Sequence, residues 1–414
     1  MSDPTTNAPR LAILGAGPIG LEAALAAAEA DLPFTVYEAA AEPAGHVADW
    51  AHVRLFTPWS LSVSPRQRRH LAALGAEPPA DDHVCPTGAE LRERVLLPIA
   101  SSPAIAPHLR LGARVRAVGR QGLLKHEEIA TAARAGHPFR LLVEEGGEER
   151  IESAEVVLDC TGTWSSPNTL GDGGIPAPGE EQLAARIVRR IPDLAREGAQ
   201  WAGRTVLLVG AGHSAQTAAR DLADFAATAP GTRVLWALRS ESPAFGARID
   251  DPLPERSRLA AAAAALAGGA SPAVWAYRGV AVDRLADADG KVKVTLRKTV
   301  GEPQEVTVDR VLSLTGAVGD HRLYRQLQVH ECYATCGPMK LSAALFAAAG
   351  GSDCLQQTTH GVEALKSPEP RFFLLGQKSY GRNNSFLLRV GWEQVAEVMA
   401  ELAPEPAVPL AVPA

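Results

Sequence analysis

The chain has 414 residues, 21% of them charged, and a formal net charge of −6. That length accommodates two or three domains with ample core. An acidic balance with no dense basic run argues against a nucleic-acid partner.

The first ten residues, MSDPTTNAPR, carry an acid and a proline and no apolar stretch, so they do not read as a signal or transit peptide. The longest alanine-rich run, Leu259 to Ala267, is too short and too weakly apolar to cross a bilayer. A soluble, cytoplasmic protein without membrane contact is expected. Five cysteines spread through the chain do not resemble a secreted disulfide framework. Abundant Arg and Ala point to a GC-rich bacterial genome.

Leu11 to Leu14 is an apolar run that predicts a buried parallel strand, and Gly15-x-Gly17-x-x-Gly20 follows it at once, opening an Ala-rich helix. Gly15 allows the tight turn, Gly17 lets backbone approach a pyrophosphate, and Gly20 brings helix and strand close, with Pro18 and Ile19 between them. A second strand, Phe34 to Tyr37, ends on Glu38, a carboxylate placed to accept hydrogen bonds from an adenosine ribose. Beyond it an aromatic, Pro- and Gly-containing stretch carries His46, Val47, Trp50, His52, Arg54, Phe56, Thr57 and Trp59, a loop long enough to read as functional. Thr87 and Glu90 have capping-box spacing for a helix over 87–100. Leu109 to Val115 predicts a strand, and Phe139 to Val143 with Glu149 to Ile151 predicts a hairpin about Gly146-Gly147.

Val156 to Leu158 predicts another buried strand, running into Asp159-Cys160-Thr161-Gly162, whose small polar end places backbone at a crevice. Residues 165–200 read as a connection between domains. The pattern then repeats: strand Thr205 to Val209, then Gly210-Ala211-Gly212-His213-Ser214-Ala215, helix Gln216 to Ala227, and strand Arg233 to Leu238 ending on Arg239 and Ser240. Where the first repeat ends on an acid, Arg239 attracts a 2′-phosphate, which predicts NADPH rather than NADH. A second meander, Val292 to Arg297 and Glu305 to Thr307, leads to strand Val311 to Leu314 and Thr315-Gly316. Strand, glycine fingerprint, helix, meander, strand and Thr-Gly thus occur twice, as an internal repeat. A last strand, Arg371 to Leu375, ends on Gly376-Gln377. Ser385 or Asn384 is expected to cap the final helix, and the Pro-rich tail 404–414 to be disordered.

His330-Glu-Cys332-x-x-x-Cys336-Gly-Pro338 precedes a helix over about residues 338–349, which sets Cys336 at a helix N-terminus, where thiolate is favoured. With Cys354 these sulfurs admit a redox pair, while their spacing matches no standard metal site and no metal is expected.

Two Rossmann units with Thr-Gly strand ends, closed by a strand-Gly-helix, resemble the two-dinucleotide-binding-domain flavoproteins. Within them the chain is most similar to the flavin-containing monooxygenases and their Baeyer–Villiger and N-hydroxylating relatives, over about residues 10–402. Gly45 to Trp50 resembles their Gly-Gly-x-Trp segment, with His46 in place of a glycine, and 159–167, DCTGTWSSP, resembles their Ala-Thr-Gly linker. The resemblance implies an α/β fold of two Rossmann-type domains, each with a small β-meander, the NADPH domain being inserted into the FAD domain. Residues 9–165 and 310–403 are then the two parts of the FAD-binding domain, the second part carrying a substrate-cleft segment, and 200–309 are the NADPH-binding domain.

FAD is implied at Gly15, Gly17, Pro18, Ile19, Gly20, Glu38, His46, Val47, Trp50, Val115, Thr161, Gly162, Gly376 and Gln377. NADPH is implied at Gly210, Gly212, His213, Ser214, Ala215, Arg239, Ser240, Thr315 and Gly316. Lys378, Tyr380, Arg382, Asn383 and Asn384 follow the closing strand and are expected to face the flavin. Lys378, Tyr380, Asn384, Thr57 and Cys336 are the catalytic candidates. The family's flavin-side Asn has no copy in Phe56-Thr57-Pro58-Trp59, its Phe-x-Gly-x-x-x-His signature has none in 165–205, and Gln377 follows Gly376 where many reductases have Asp.

The implied chemistry is hydride transfer from NADPH to flavin, then oxygen transfer through a C4a-hydroperoxyflavin to a nitrogen or sulfur centre. The implied partners are a small-molecule substrate, molecular oxygen and, as a homodimer, a second copy of the chain. Two alternatives stand beside it: a flavin-dependent thiol–disulfide reductase or thiol oxidase using Cys332, Cys336 and Cys354, and a slowly turning redox-sensing flavoprotein.

Overall fold

The computed structural model describes residues 9–76, 81–248, 250–348, 355 and 359–402, so Cys354 and the tail 404–414 lie outside the described residues. The N-terminal part supplies β1 (Leu11–Leu14), β2 (Phe34–Glu38), β3 (Leu109–Leu111), the meander β4 (Ala113–Arg120), β5 (Phe139–Glu145) and β6 (Glu148–Ala154), and then β7 (Val156–Asp159). The middle supplies β8 (Ile187–Val188), β9 (Thr205–Val209), β10 (Arg233–Leu238), β11 (Val274–Arg278), the meander β12 (Val280–Ala288), β13 (Lys291–Lys298) and β14 (Gln304–Val308), and then β15 (Arg310–Ser313). A two-stranded ribbon, β16 (Glu331–Cys332) and β17 (Gly337–Pro338), precedes the closing strand β18 (Phe372–Leu374).

Two parallel five-stranded sheets result, ordered β18-β7-β1-β2-β3 and β11-β10-β9-β15-β8. The second is inserted in the chain between β7 and β18. Both are covered on both faces, and the two-residue period of a strand decides which residue meets which cover. Leu11 and Ile13 pack beneath helices Pro18–Glu29 and Leu388–Leu402, while Ala12 and Leu14 pack under the first meander. In the second sheet Val206 and Leu208 face helix His213–Thr228, while Leu207 faces the second meander. The internal repeat read from the sequence is therefore a repeat of layers.

Several boundaries differ from expectation for identifiable reasons. The strand expected over 109–115 breaks at Gly112, whose φ of +66° ends β3 in the parallel sheet and starts β4 in the meander. The helix over 87–100 keeps its Thr87–Glu90 capping box but widens into a π turn at Arg92–Leu96, where Pro98 offers no amide to the carbonyl four residues back. The connection 165–200 contributes β8, and β15 pairs with β9, so the second sheet reaches beyond the 200–309 segment on both sides. The final helix starts at Leu388 and neither Asn384 nor Ser385 caps it. The Asn383 side-chain oxygen instead takes the amide and hydroxyl of Ser385 at 2.9 and 2.6 Å, a local turn that competes with helix.

Candidate functional site

The carboxyl ends of the first sheet come together, because Leu14 stands opposite both Tyr37 and Asp159, and Leu374 opposite Asp159. The Gly15–Gly20 turn, Glu38, Thr161-Gly162 and Gly376 therefore share one edge. A Cβ on Gly15, at φ +96°, would stand 2.9 Å from the Cys160 carbonyl oxygen, and one on Gly20 would stand 1.8 Å from that of Gly15. Gly17 differs: a Cβ there meets nothing within 4 Å. Gly15 and Gly20 are thus required by packing, whereas the protein's own packing does not require a glycine at Gly17.

No side chain caps the helix that opens at Pro18, so the amides of Ile19 and Gly20 are left for a ligand. Buried Glu38 accepts the Ala16 amide at 2.7 Å and the Ala40 amide at 2.8 Å, which shapes the turn and leaves about two of its four lone-pair directions open. The Gly376 amide donates to the buried Gln394 side chain at 2.9 Å, a partner on the final helix that no local pattern announced.

The second sheet repeats this edge. Gly210, at φ +129°, approaches the Leu314 carbonyl so closely that a Cβ would lie 2.3 Å from its oxygen, while a Cβ on Gly212 meets nothing within 4 Å. His213, Ser214 and Ala215 form the first turn of the helix and their amides have no side-chain cap. Arg239 is exposed at the end of β10 and, among the described residues, makes no hydrogen bond or ion pair. Ser240 accepts the Ser242 amide at 3.1 Å. Two residues outside the fingerprint support it: Trp236 donates to the Gly210 carbonyl at 2.8 Å, and Gln216 donates to the Ala211 carbonyl at 2.9 Å. Thr315 and Gly316 are clasped by Asn168, whose side-chain amide donates to the Thr315 carbonyl at 3.1 Å, while its own carbonyl accepts the Thr315 hydroxyl at 3.1 Å.

The two edges adjoin. Phe56 rests on the ring of His213 with centroids 4.6 Å apart, and Val53 packs into the core of the second sheet. Burial, and then the charge of Arg256, hold the His213 imidazole below its usual range.

The remaining candidates divide. Lys378 is fully buried, with its ammonium 2.7 Å from Asp159 and 3.1 Å from the Thr161 hydroxyl, so it lies behind the crevice wall. Tyr380 is a core side chain packed on Phe386, and burial pushes its hydroxyl up to about 12. Asn384 is exposed, and the Thr57 hydroxyl is buried against that of Ser62 at 3.2 Å. Val47 is core, Trp50 packs on Gly88, and His46 is exposed near Trp164. Val115 sits at a bulge of β4, and Gln377 donates to the Asn383 carbonyl.

The chain matches no protein-family model and no curated protein sequence. Among solved structures, bacillithiol disulfide reductase Bdr (YpdA) from Bacillus cereus is 18% identical at a TM-score of 0.65, covering 96% of this chain and 99% of its own. An ornithine N-hydroxylase from Kutzneria, solved with reduced FAD, NADP+ and L-ornithine, is 14% identical at a TM-score of 0.61, covering 96% and 99%. A flavin-containing monooxygenase from Stenotrophomonas maltophilia is 17% identical at a TM-score of 0.56, covering 96% and 98%. The fold is that of the two-dinucleotide-binding-domain FAD/NAD(P)H oxidoreductases. At both strand edges the open glycines Gly17 and Gly212 and the uncapped helix starts leave free space beside unpaired amides.

Set in the same fold, the cysteines lie differently from expectation. Cys336 is not at a helix N-terminus: it occupies a turn at φ +57°, and β17 separates it from helix Met339–Ala348. Cys332, on the other arm of that ribbon, is half-buried, and hydrogen bonds from the Thr335 hydroxyl and amide hold its thiol below the ordinary range. Cys160, beside Thr161, is the opposite case, because burial and the Asp159 carboxylate push its thiol far up. Among the described residues no group of three or more His, Cys, Asp or Glu could hold a metal, and no helix is long and apolar enough to cross a membrane.

Proposed function

We propose that this chain is an FAD-dependent, NADPH-using oxidoreductase whose principal reaction is monooxygenation of a nitrogen or sulfur centre in a small molecule. The observation that carries the reading is the pair of open glycine turns at the ends of two adjoining parallel sheets, with Phe56 of one against His213 of the other. When bound, FAD supplies the hydride acceptance and oxygen activation that side chains cannot. The chain's own residues hold and orient. The amides of Ile19 and Gly20 take one pyrophosphate and those of His213, Ser214 and Ala215 the other, while Glu38 faces a ribose. Arg239 supplies a free cation for a 2′-phosphate, and its replacement by Ala is expected to raise the KM for NADPH about tenfold or more and leave NADH unaffected.

Cys160 lies beside Thr161 at the first crevice, and burial and the Asp159 carboxylate push its thiol far up, away from thiolate. This favours a small-molecule acceptor. The test supplies NADPH and heavy-isotope oxygen with panels of amines and sulfides. Label in the product at close to one atom per NADPH is expected. NADPH consumption that needs a disulfide and ignores oxygen would sink the monooxygenase.

A second reading, thiol–disulfide exchange, draws on Cys332, whose thiol is stabilised as thiolate by Thr335. Under it the double change Cys332→Ser and Cys336→Ser abolishes disulfide-dependent NADPH oxidation. Under the first reading that variant turns over normally.

A further inference from the structure

We propose that Lys378 and Asp159 form a buried positioning pair that shapes the first dinucleotide crevice and ties it to the connector arriving from the second sheet; the proposal rests on the FAD reading above. Both side chains are 0% exposed. The Lys378 ammonium donates to Asp159 Oδ2 at 2.7 Å and to the Thr161 hydroxyl oxygen at 3.1 Å, and it faces the ring of Tyr324 with the centroid 5.1 Å away. Asp159 Oδ1 accepts the Thr161 amide at 3.1 Å and its hydroxyl at 2.6 Å. The hydroxyl and the amide of Thr161 are therefore both held from behind, while Gly162, at φ +69°, has nothing within 4 Å of an added Cβ and presents bare backbone to the crevice.

The other partners of Lys378 are also fixed. The Tyr324 hydroxyl donates to Glu331 at 2.6 Å, so the ring that the ammonium faces cannot swing away. The aliphatic stem lies under Gly319: a Cβ there would stand 2.3 Å from Cγ and 2.8 Å from Cδ and Cε of Lys378. Gly319 belongs to the segment that starts at Thr315-Gly316, the strand end clasped by Asn168. Three chain segments thus meet at one lysine: the end of β7, the connector leaving β15, and the turn after β18.

Stability alone does not account for this arrangement. A buried ion pair costs about as much desolvation as it returns in attraction, and an apolar pair of similar size is often at least as stable. What the charges add is a fixed direction for Thr161, and a wall fixed before binding spares the ligand the cost of ordering it.

The test titrates flavin-free protein with FAD, following quenching of flavin fluorescence, the visible absorption of the bound flavin and the thermal midpoint. Wild type comes first, and a wild-type chain that binds no FAD overturns the underlying reading rather than this one. In Asp159→Asn with Lys378→Met, both charges go together and no lone buried ion is left. The expected result is a near-native midpoint, a dissociation constant for FAD raised about tenfold, a changed flavin spectrum, and unaltered NADPH affinity. A folded double variant with FAD affinity within about twofold of wild type and the same spectrum overturns the positioning role. If that variant does not fold, Gly319→Ala, which displaces the lysine stem without altering charge, carries the same expectation and the same refutation.

Discussion

Gly17 and Gly20 are three residues apart in one motif, yet a methyl group has opposite meanings at the two positions. At Gly20 it meets the Gly15 carbonyl oxygen at 1.8 Å, so Gly20→Ala is expected to destabilise the fold by roughly 1–3 kcal/mol, the usual cost of overpacking. At Gly17 it meets open space, so Gly17→Ala is expected to melt within about a degree of wild type while losing bound flavin, because only the ligand is obstructed. Melting curves and flavin content measured together decide it, and equal destabilisation of both variants would remove the ligand role of Gly17. Cys332 offers a pH-dependent test of the same kind. Hydrogen bonds from Thr335 lower its thiol, so thiolate forms at lower pH than in an unassisted cysteine and alkylation is faster near neutrality. Thr335→Val removes the hydroxyl and should move the midpoint of the alkylation–pH curve upward, while Cys160 stays unreactive until the protein unfolds.

Between elements, the decisive contacts join segments remote in sequence. Glu369, just before β18, takes Arg120 Nε of β4 at 2.6 Å and Arg134 Nε at 3.0 Å, all three side chains 0% exposed, and also accepts the Gln328 amide at 2.7 Å. Glu369→Gln leaves two buried guanidinium groups without their anion and is expected to cost about 3–5 kcal/mol in a urea titration with unchanged slope. A loss under about 1 kcal/mol would mean that water reaches the cluster. The same remoteness separates what was legible in the sequence from what was not. The core strands β1, β9 and β10 stand at the residues expected, since buried parallel strands are unbroken apolar runs punctuated by glycine. β8 has two residues and no pattern to show, and β12 carries a bulge between Val282 and Arg284 that interrupts its alternation. The glycines of both crevices were readable because they are local. The Lys378–Asp159 pair, 219 residues apart, was not, and Lys378 was accordingly expected to face the flavin, whereas it holds the wall from behind.

At the scale of the whole molecule, the chain leaves the first sheet and returns to it through neighbouring strands. Pro167 pairs with Ala317 in an antiparallel bridge, flanked by hydrogen bonds from the Asn168 amide to the Gly316 carbonyl at 2.9 Å and from the Val318 amide to the Ser166 carbonyl at 3.1 Å. Opposed residues in such a bridge lie about 5 Å apart, a gap that a two-residue hairpin turn closes. A chain in which Asn-Gly replaces residues 168–316 is therefore expected to fold, because the first sheet keeps both of its covers, formed by residues 18–29, 113–154 and 388–402. It should retain flavin and be reduced by dithionite, yet stay oxidised in NADPH, since the second crevice goes with the excised part. Val53 and Phe56 lose their partners in that chain, so lower solubility is the expected side effect. Failure to bind flavin in a folded excised chain would show that the first crevice depends on the second sheet. Retention of flavin together with reduction by NADPH would move the pyridine-nucleotide site out of the second sheet. Only the expected combination is consistent with two separately built crevices whose reaction depends on their being held against each other.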